Sequence, residues 1–301
     1  MKNSTWEQFG FAFIDRLRLP VLLFLGVSLL TYKPPSAMLI RHDINPDAYI
    51  VNEADYPAVF PLFEDENIKE CVATLIDPNW AITAAHCLVL LYENDFLESG
   101  YRVNIAGVEN TINQIVWPEE LGTLDAITSD ENDLEEFDPY VKDATYDTAL
   151  IELHDVVEHV TPIALYEGSD EVGKTILLLG WGDFGTGDVG LPPEPINDRQ
   201  FRQATNQITA TEANYLFFEF DDPVSGNALL LEGVNGPGDS GGPALVETDS
   251  GLQIIGVSSG GEYKTEEENE LKPQGQYGWQ EFYIRVSQMR SWINRIIHPT
   301  D

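Results

Sequence analysis

The sequence predicts an all-β protein closed by one C-terminal helix. Short runs rich in Val, Ile, Leu, Thr and aromatics recur along the chain. Gly, Pro, Asn and Asp separate them, and the chain holds 24 Gly and 18 Pro. Only one segment has a clear helical period. The runs are 71–76, 80–83, 101–105, 148–153, 175–179, 215–220, 252–257 and 282–286. Each is a few residues long, the length of a strand, and their spacing fits a β-sandwich or β-barrel. Near the C-terminus Met289, Trp292, Ile293 and Ile296 fall at i, i+3, i+4 and i+7, one face of an amphipathic helix. Ser287 is the expected N-cap. Residues 117–138 carry Asp130, Glu131, Asp133, Glu135, Glu136 and Asp138 and read as a solvated acidic loop.

At 301 residues, 43% of them hydrophobic, the chain is long enough to bury a sizeable core. Fifty-one acids face 16 bases, a formal net charge of −35. A phosphate backbone would be repelled, which excludes nucleic acid as a partner. An anionic membrane surface is excluded on the same ground. Two cysteines allow a single bridge and no four-cysteine zinc site. Residues 1–37 read as a signal peptide. Lys2, Arg16 and Arg18 precede an apolar run over 19–30, and Ser36 and Ala37 offer small residues for cleavage. The alternative is a retained membrane anchor. Export to an oxidising compartment, as a secreted or periplasmic protein, would permit a disulfide.

Three motifs carry chemistry. The first is Thr83-Ala84-Ala85-His86-Cys87, after a strand-like run. The only available partner of Cys87 is Cys71, and a bridge closing that loop would stabilise by about 3 kcal/mol in the chain-entropy model. It would also hold the histidine's backbone. The second is Asp147 at the head of the alternating run 148–153. The third is Gly236-Pro237-Gly238-Asp239-Ser240-Gly241-Gly242-Pro243. Glycines packed around one serine imply tight turns and close approach of a ligand to main-chain N–H groups. The order is His, Asp, Ser. The last motif also satisfies G-x-S-x-G, but that elbow needs its Asp and His after the serine, and only His298 follows. His42 reads as a surface or structural residue.

With TAAHC, the D-x-A-L-I-x-L run, Gly180-Trp181-Gly182, GDSGGP and YIRVSQMRSW in order, residues 38–301 resemble a trypsin-like (chymotrypsin-fold) serine protease of the bacterial secreted type. The resemblance implies two packed six-stranded antiparallel β-barrels with a C-terminal α-helix. We expect residues 38–160 to form the first barrel and 161–301 the second barrel with the helix. It implies a triad in which Ser240 attacks, His86 moves the proton and Asp147 orients the histidine. The N–H groups of Gly238 and Ser240 would form the oxyanion hole. Asp239 would pair with a new N-terminal ammonium. The usual Ile-Val-Gly-Gly start is missing, and Met38 is the nearest candidate for that amine.

The resemblance puts the floor of the specificity pocket at Val234, which carries no charge to select Arg or Lys. Glu281 maps near the pocket wall, where an acid would attract a cation. Otherwise it is merely exposed. Ser258, Ser259 and Gly260 match the segment that pairs with an extended substrate, and Ser259 stands where an aromatic is common. The partner expected is a protein or peptide substrate, cut by a monomeric endopeptidase without a cofactor, without a metal site and without stable membrane association after leader removal. An esterase using the same triad, and a non-enzymatic binding protein on this scaffold, are the alternatives.

Overall fold

The structure, a computed structural model, describes residues 38–64, 69–88, 100–121, 144–194 and 197–299. The expected leader over 1–37, and residues 122–138 of the acidic loop, lie outside the described residues. What is described belongs to one compact unit.

The first sheet has the order β2-β3-β4-β7-β6-β5, six strands all paired antiparallel. Its strands are β2 (Val59–Glu64), β3 (Lys69–Asp77), β4 (Trp80–Thr83), β5 (Arg102–Ile105), β6 (Val108–Val116) and β7 (Ala149–Leu153). Alternation decides which side chains face inward. In β5, for instance, Val103 and Ile105 are buried while Arg102 and Asn104 are exposed. The edge strands β2 and β5 come together, and the Tyr101 hydroxyl donates to the Leu62 carbonyl at 2.5 Å. The sheet thereby curls around a core that includes Phe60, Leu62, Ala73, Leu75, Ile105 and Ile151.

The second sheet follows the path β11-β9-β15-β16-β17-β13-β12, with β8 pairing β16. These are β8 (Ala164–Leu165), β9 (Thr175–Gly180), β11 (Arg202–Gln207), β12 (Ala210–Glu212), β13 (Tyr215–Glu219), β15 (Pro243–Thr248), β16 (Gly251–Glu262) and β17 (Gln280–Arg285). Eight strands stand where six were expected; the short β12 ends the path, and the short β8 pairs in parallel with β16. Asn206 on β11 donates to the Glu219 carbonyl of β13 at 3.0 Å, drawing the far ends of the sheet together.

A third, small sheet places β1 (Met38–Ile40) between β10 (Phe184–Thr186), parallel, and β14 (Gly233–Val234), antiparallel. Met38, Leu39 and Ile40 are wholly buried in the core of the second half. So the segment expected to open the first barrel pairs instead with strands 184–186 and 233–234. A short helix α1 (Glu266–Leu271) begins at Thr265, whose hydroxyl accepts from the Glu268 N–H.

Helix α2 (Val286–Ile297) closes the described chain. Its N-cap is Arg285, without a side-chain capping bond, not Ser287 as expected. Strand β17 runs into the helix directly, which leaves Ser287 in the first turn. There its hydroxyl donates to Glu171 Oε1 at 2.6 Å, and Arg285 pairs with the same carboxylate at 3.1 Å. The predicted apolar face holds. Met289 and Ile293 are buried, and Trp292 and Ile296 pack beside them. They join a core drawn from both large sheets, including Trp80 and Ile82 of β4 and Ile254 and Val257 of β16.

Truncating Ile293, fully buried in that shared core, should be costly. We expect Ile293→Ala to lower unfolding free energy by about 2–5 kcal/mol in urea titration. A loss under about 1 kcal/mol would mean the helix does not anchor the core as described.

Candidate active site

Strand β4 delivers His86. Thr83 ends the strand with its hydroxyl on the Val72 carbonyl at 2.8 Å, and residues 86–88 turn into a helical conformation. A disulfide joins Cys87 to Cys71 on β3. The Val72 N–H donates to the Ser240 carbonyl at 2.7 Å, so the same stretch of β3 also holds the serine's backbone.

Asp147 lies between the turn Ala144–Tyr146 and β7, and is only 4% exposed. A buried carboxylate needs donors. The His86 backbone N–H donates to Oδ1 at 2.9 Å, His86 Nδ1 sits 2.7 Å from Oδ2, and the Ser259 hydroxyl donates to Oδ2 at 2.7 Å. A carboxylate beside Nδ1 favours the tautomer protonated there, leaving Nε2 free of its proton. Burial alone would push the Asp147 carboxyl up; the charge on the His86 ring and these hydrogen bonds outweigh it and hold it low. Burial would push His86 down, but the charge and hydrogen bond of Asp147 win and raise it.

Ser240 and His86 line one cavity of about 260 Å³ together with Glu70, Cys71, Pro237, Gly238 and Ser259. Asp239, next to the serine, is fully buried. Its carboxylate accepts from the Gly182 N–H at 2.6 Å and the Gly236 N–H at 3.0 Å. With only backbone donors against complete burial, its carboxyl is pushed up to about 7. This approach explains Gly180-Trp181-Gly182. A side chain on Gly180 would put its first carbon 1.9 Å from Asp239 Oδ1. Gly238 takes a left-handed φ of +90° against Gly182, which turns the loop past the serine.

The specificity residues land differently. Val234 is wholly buried in β14, paired with Leu39, and packs into the core. Ser258 is buried and accepts from Asn235 Nδ2 at 2.8 Å. Ser259 lines the cavity, and its hydroxyl is turned onto Asp147. The reason is a register slip between β16 and β17 at Ser258/Gly260, which breaks the alternation assumed along the strand. Gly260 follows it, opposite Phe282. Glu281 is not an exposed acid. It is 3% exposed, accepts from Trp279 Nε1 at 2.7 Å, and burial pushes it up to about 8. His42 lies elsewhere, with Nδ1 2.7 Å from the Tyr277 hydroxyl.

One role and one residue of this region were not read from sequence. Ser259 as a donor to Asp147 depends on the register slip, which no local pattern announces. Glu70, on the cavity wall, was findable: it precedes the cysteine whose partner flanks His86.

Comparison with known proteins gives the family and supports the fold. The family model described as Trypsin matches residues 52–293. The chain is 24% identical over 287 residues to phenoloxidase-activating factor 1 of Holotrichia diomphalia, covering 85% of this chain and 70% of that protein. It is 26% identical to the serine protease harobin of Hydrophis hardwickii over 240 residues, covering 75% of each. Among solved structures it resembles neuropsin, a serine protease of mouse brain, with a TM-score of 0.55 at 18% identity, covering 83% of this chain and 98% of that one. These relatives, insect, snake and mouse, give no support to the bacterial character expected from the sequence. A match to the family model over most of the chain, together with the fold, shows that the protein belongs to the trypsin-like serine proteases.

Proposed function

We propose that the chain is an exported serine endopeptidase working through Ser240, His86 and Asp147. The observation that carries this is the hydrogen-bonded line Ser259–Asp147–His86 ending on the cavity that Ser240 lines. His86 takes the proton as Ser240 Oγ adds to the scissile carbonyl. Asp147 stabilises the imidazolium that forms. The N–H groups of Gly238 and Ser240 receive the developing oxyanion, worth about 3 kcal/mol per donor. Collapse of the tetrahedral intermediate breaks the C–N bond, and His86 gives its proton to the leaving amine. Water, deprotonated by His86, then hydrolyses the acyl-enzyme. Because the base must be neutral, a raised His86 pKa moves the acid limb of activity upward. The Cys71–Cys87 bridge and the leader-like residues 1–37 support export to an oxidising compartment.

Met38 supplies the activating amine in this reading. It pairs with Phe184, two residues beyond the Gly182 that donates to Asp239, and it is wholly buried. Asp239 in turn has two backbone donors and a strongly raised pKa.

Glu281 supplies the acid for a cationic side chain before the cut. The Tyr283 hydroxyl, two residues along β17, and Asn235 Oδ1, whose amide donates to Ser258 opposite Tyr283, are buried without a hydrogen-bond partner among the described residues. An ammonium or guanidinium brings donors to all three.

Ser240→Ala should abolish hydrolysis of casein and labelling by an organophosphonate while leaving the circular dichroism unchanged; retained hydrolysis would reject the triad. N-terminal sequencing of active protein should begin at Met38, and a start well downstream of Ile40 would exclude this activation route. A carboxyl raised on folding stabilises the fold below its unfolded pKa near 4, and that contribution is lost as pH rises through about 7. Protein with a residue still attached before Met38 should therefore lose stability in urea between pH 5 and 8, and protein with a free Met38 amine should not. Chromogenic peptides varied before the cut should favour Lys and Arg, with Glu281→Gln losing about ten-fold or more of that preference; an unchanged preference would remove Glu281 from the pocket.

A further inference from the structure

Pro237 stands between two glycines in the turn that leads to Ser240, and it lines the cavity with His86, Gly238 and Ser240. The proposed mechanism needs the Gly238 N–H aimed into that cavity. A trans peptide carries its C=O and its N–H on opposite edges, so the direction of the Pro237 carbonyl fixes the direction of the Gly238 N–H. Gly238 itself does not hold that choice. Its φ of +90° is open to glycine, and so is the mirror value, so the peptide joining Pro237 to Gly238 could turn over at little local cost. Turned over, it would put a carbonyl oxygen where the oxyanion forms.

Three restraints oppose that turn. First, the Asp183 N–H donates to the Pro237 carbonyl at 2.6 Å. Second, the segments that carry donor and acceptor are themselves joined by Asp239, whose carboxylate accepts from the Gly182 N–H at 2.6 Å and from the Gly236 N–H at 3.0 Å. Their backbones touch. A side chain on Gly182 would put its first carbon 2.5 Å from the Pro237 oxygen, and one on Gly236 would put it 2.1 Å from the Asp183 oxygen. Behind them, Asn197 Nδ2 holds the Trp181 carbonyl at 2.9 Å. The proline ring is the third restraint. It locks φ at residue 237 and biases the preceding Gly236 toward extended backbone.

The donors at stake are uncommitted. Within the turn, backbone hydrogen bonds use the N–H of Asp239, Gly241 and Gly242, and among the described residues none uses that of Gly238 or Ser240. We propose that Pro237 is a positioning residue for the oxyanion hole. Its ring and its anchored carbonyl keep the peptide before Gly238 from turning over, and so keep the Gly238 N–H on the reacting carbonyl. Pro237 acts through Gly238; having no N–H, it gives the oxyanion no donor of its own. The inference rests on the proteolytic reading above and deepens it, by naming what holds that donor in place.

The test compares Pro237→Ala and Pro237→Gly with the unaltered active protein on the peptide it cleaves best. Two inhibitors share that peptide's sequence before the cut. One ends in an aldehyde: Ser240 Oγ bonds to its carbonyl carbon, the π pair moves to the oxygen, and His86 takes the serine proton. The other ends in the matching alcohol, which binds without addition. A turned peptide lowers the fraction of molecules able to stabilise the oxyanion and leaves ground-state binding alone. Pro237→Ala should lower kcat about three-fold and Pro237→Gly about ten-fold, with KM unchanged. Affinity for the aldehyde should fall by the same factors, and affinity for the alcohol should not move. If the glycine variant fails to fold by circular dichroism, the alanine variant carries the test alone. An unchanged kcat, a loss carried by KM, or an equal fall for aldehyde and alcohol would overturn the proposal while the proteolytic reading stands. Failure of the unaltered protein to cut any peptide would overturn both.

Discussion

The cleft depends on keeping one buried carboxylate charged. Asp147 is almost without contact to water, and an isolated carboxylate in that position would take up a proton rather than pay several kcal/mol for its charge. Two segments prevent this. The His86 turn offers a backbone N–H and a ring N–H, and Ser259 offers a hydroxyl from the other large sheet. The charge of Asp147 is therefore maintained jointly by both halves of the molecule. Remove either set of donors and the histidine loses both its tautomer and its orientation.

Two other buried acids make the contrast instructive. Asp239 and Glu281 are no less buried than Asp147, yet both are raised, to about 7 and about 8. Burial is common to all three, so the difference lies in what faces the oxygens. Asp147 has an ionisable ring; Asp239 has two backbone N–H groups; Glu281 has one indole N–H. Neutral donors offset only part of the loss of hydration. Neither raised acid has a cation hydrogen-bonded to it, and this is the reason for proposing an N-terminal amine for the one and a basic substrate side chain for the other.

Much of this was legible in the sequence because it rests on local rules. Strands at 80–83, 148–153 and 175–179 coincide closely with β4, β7 and β9, and the period of Met289, Trp292, Ile293 and Ile296 places α2. The positions of His86 and Ser240 follow from motifs whose glycines and cysteine have steric and covalent reasons to be there. The illegible part is non-local. The helix start at Arg285 depends on how β17 feeds it, and the turn of Ser259 onto Asp147 depends on a bulge between two strands. The burial of Glu281 depends on Trp279 folding over it. A charged residue on an alternating strand reads as exposed, and only the packed neighbours reveal otherwise.

The core around α2 has a further consequence for how the molecule fails. Trp80 and Ile82 from the first sheet and Ile254 and Val257 from the second meet Met289 and Ile293 in one cluster. Neither sheet can come apart without opening that cluster, so the two halves share a single cooperative transition rather than melting in turn. Asp147 and Ser259, contributed by different sheets, then part only when the whole fold is lost. The arrangement admits no long-lived half-folded form with a working cleft, and residual activity during denaturation counts folded molecules.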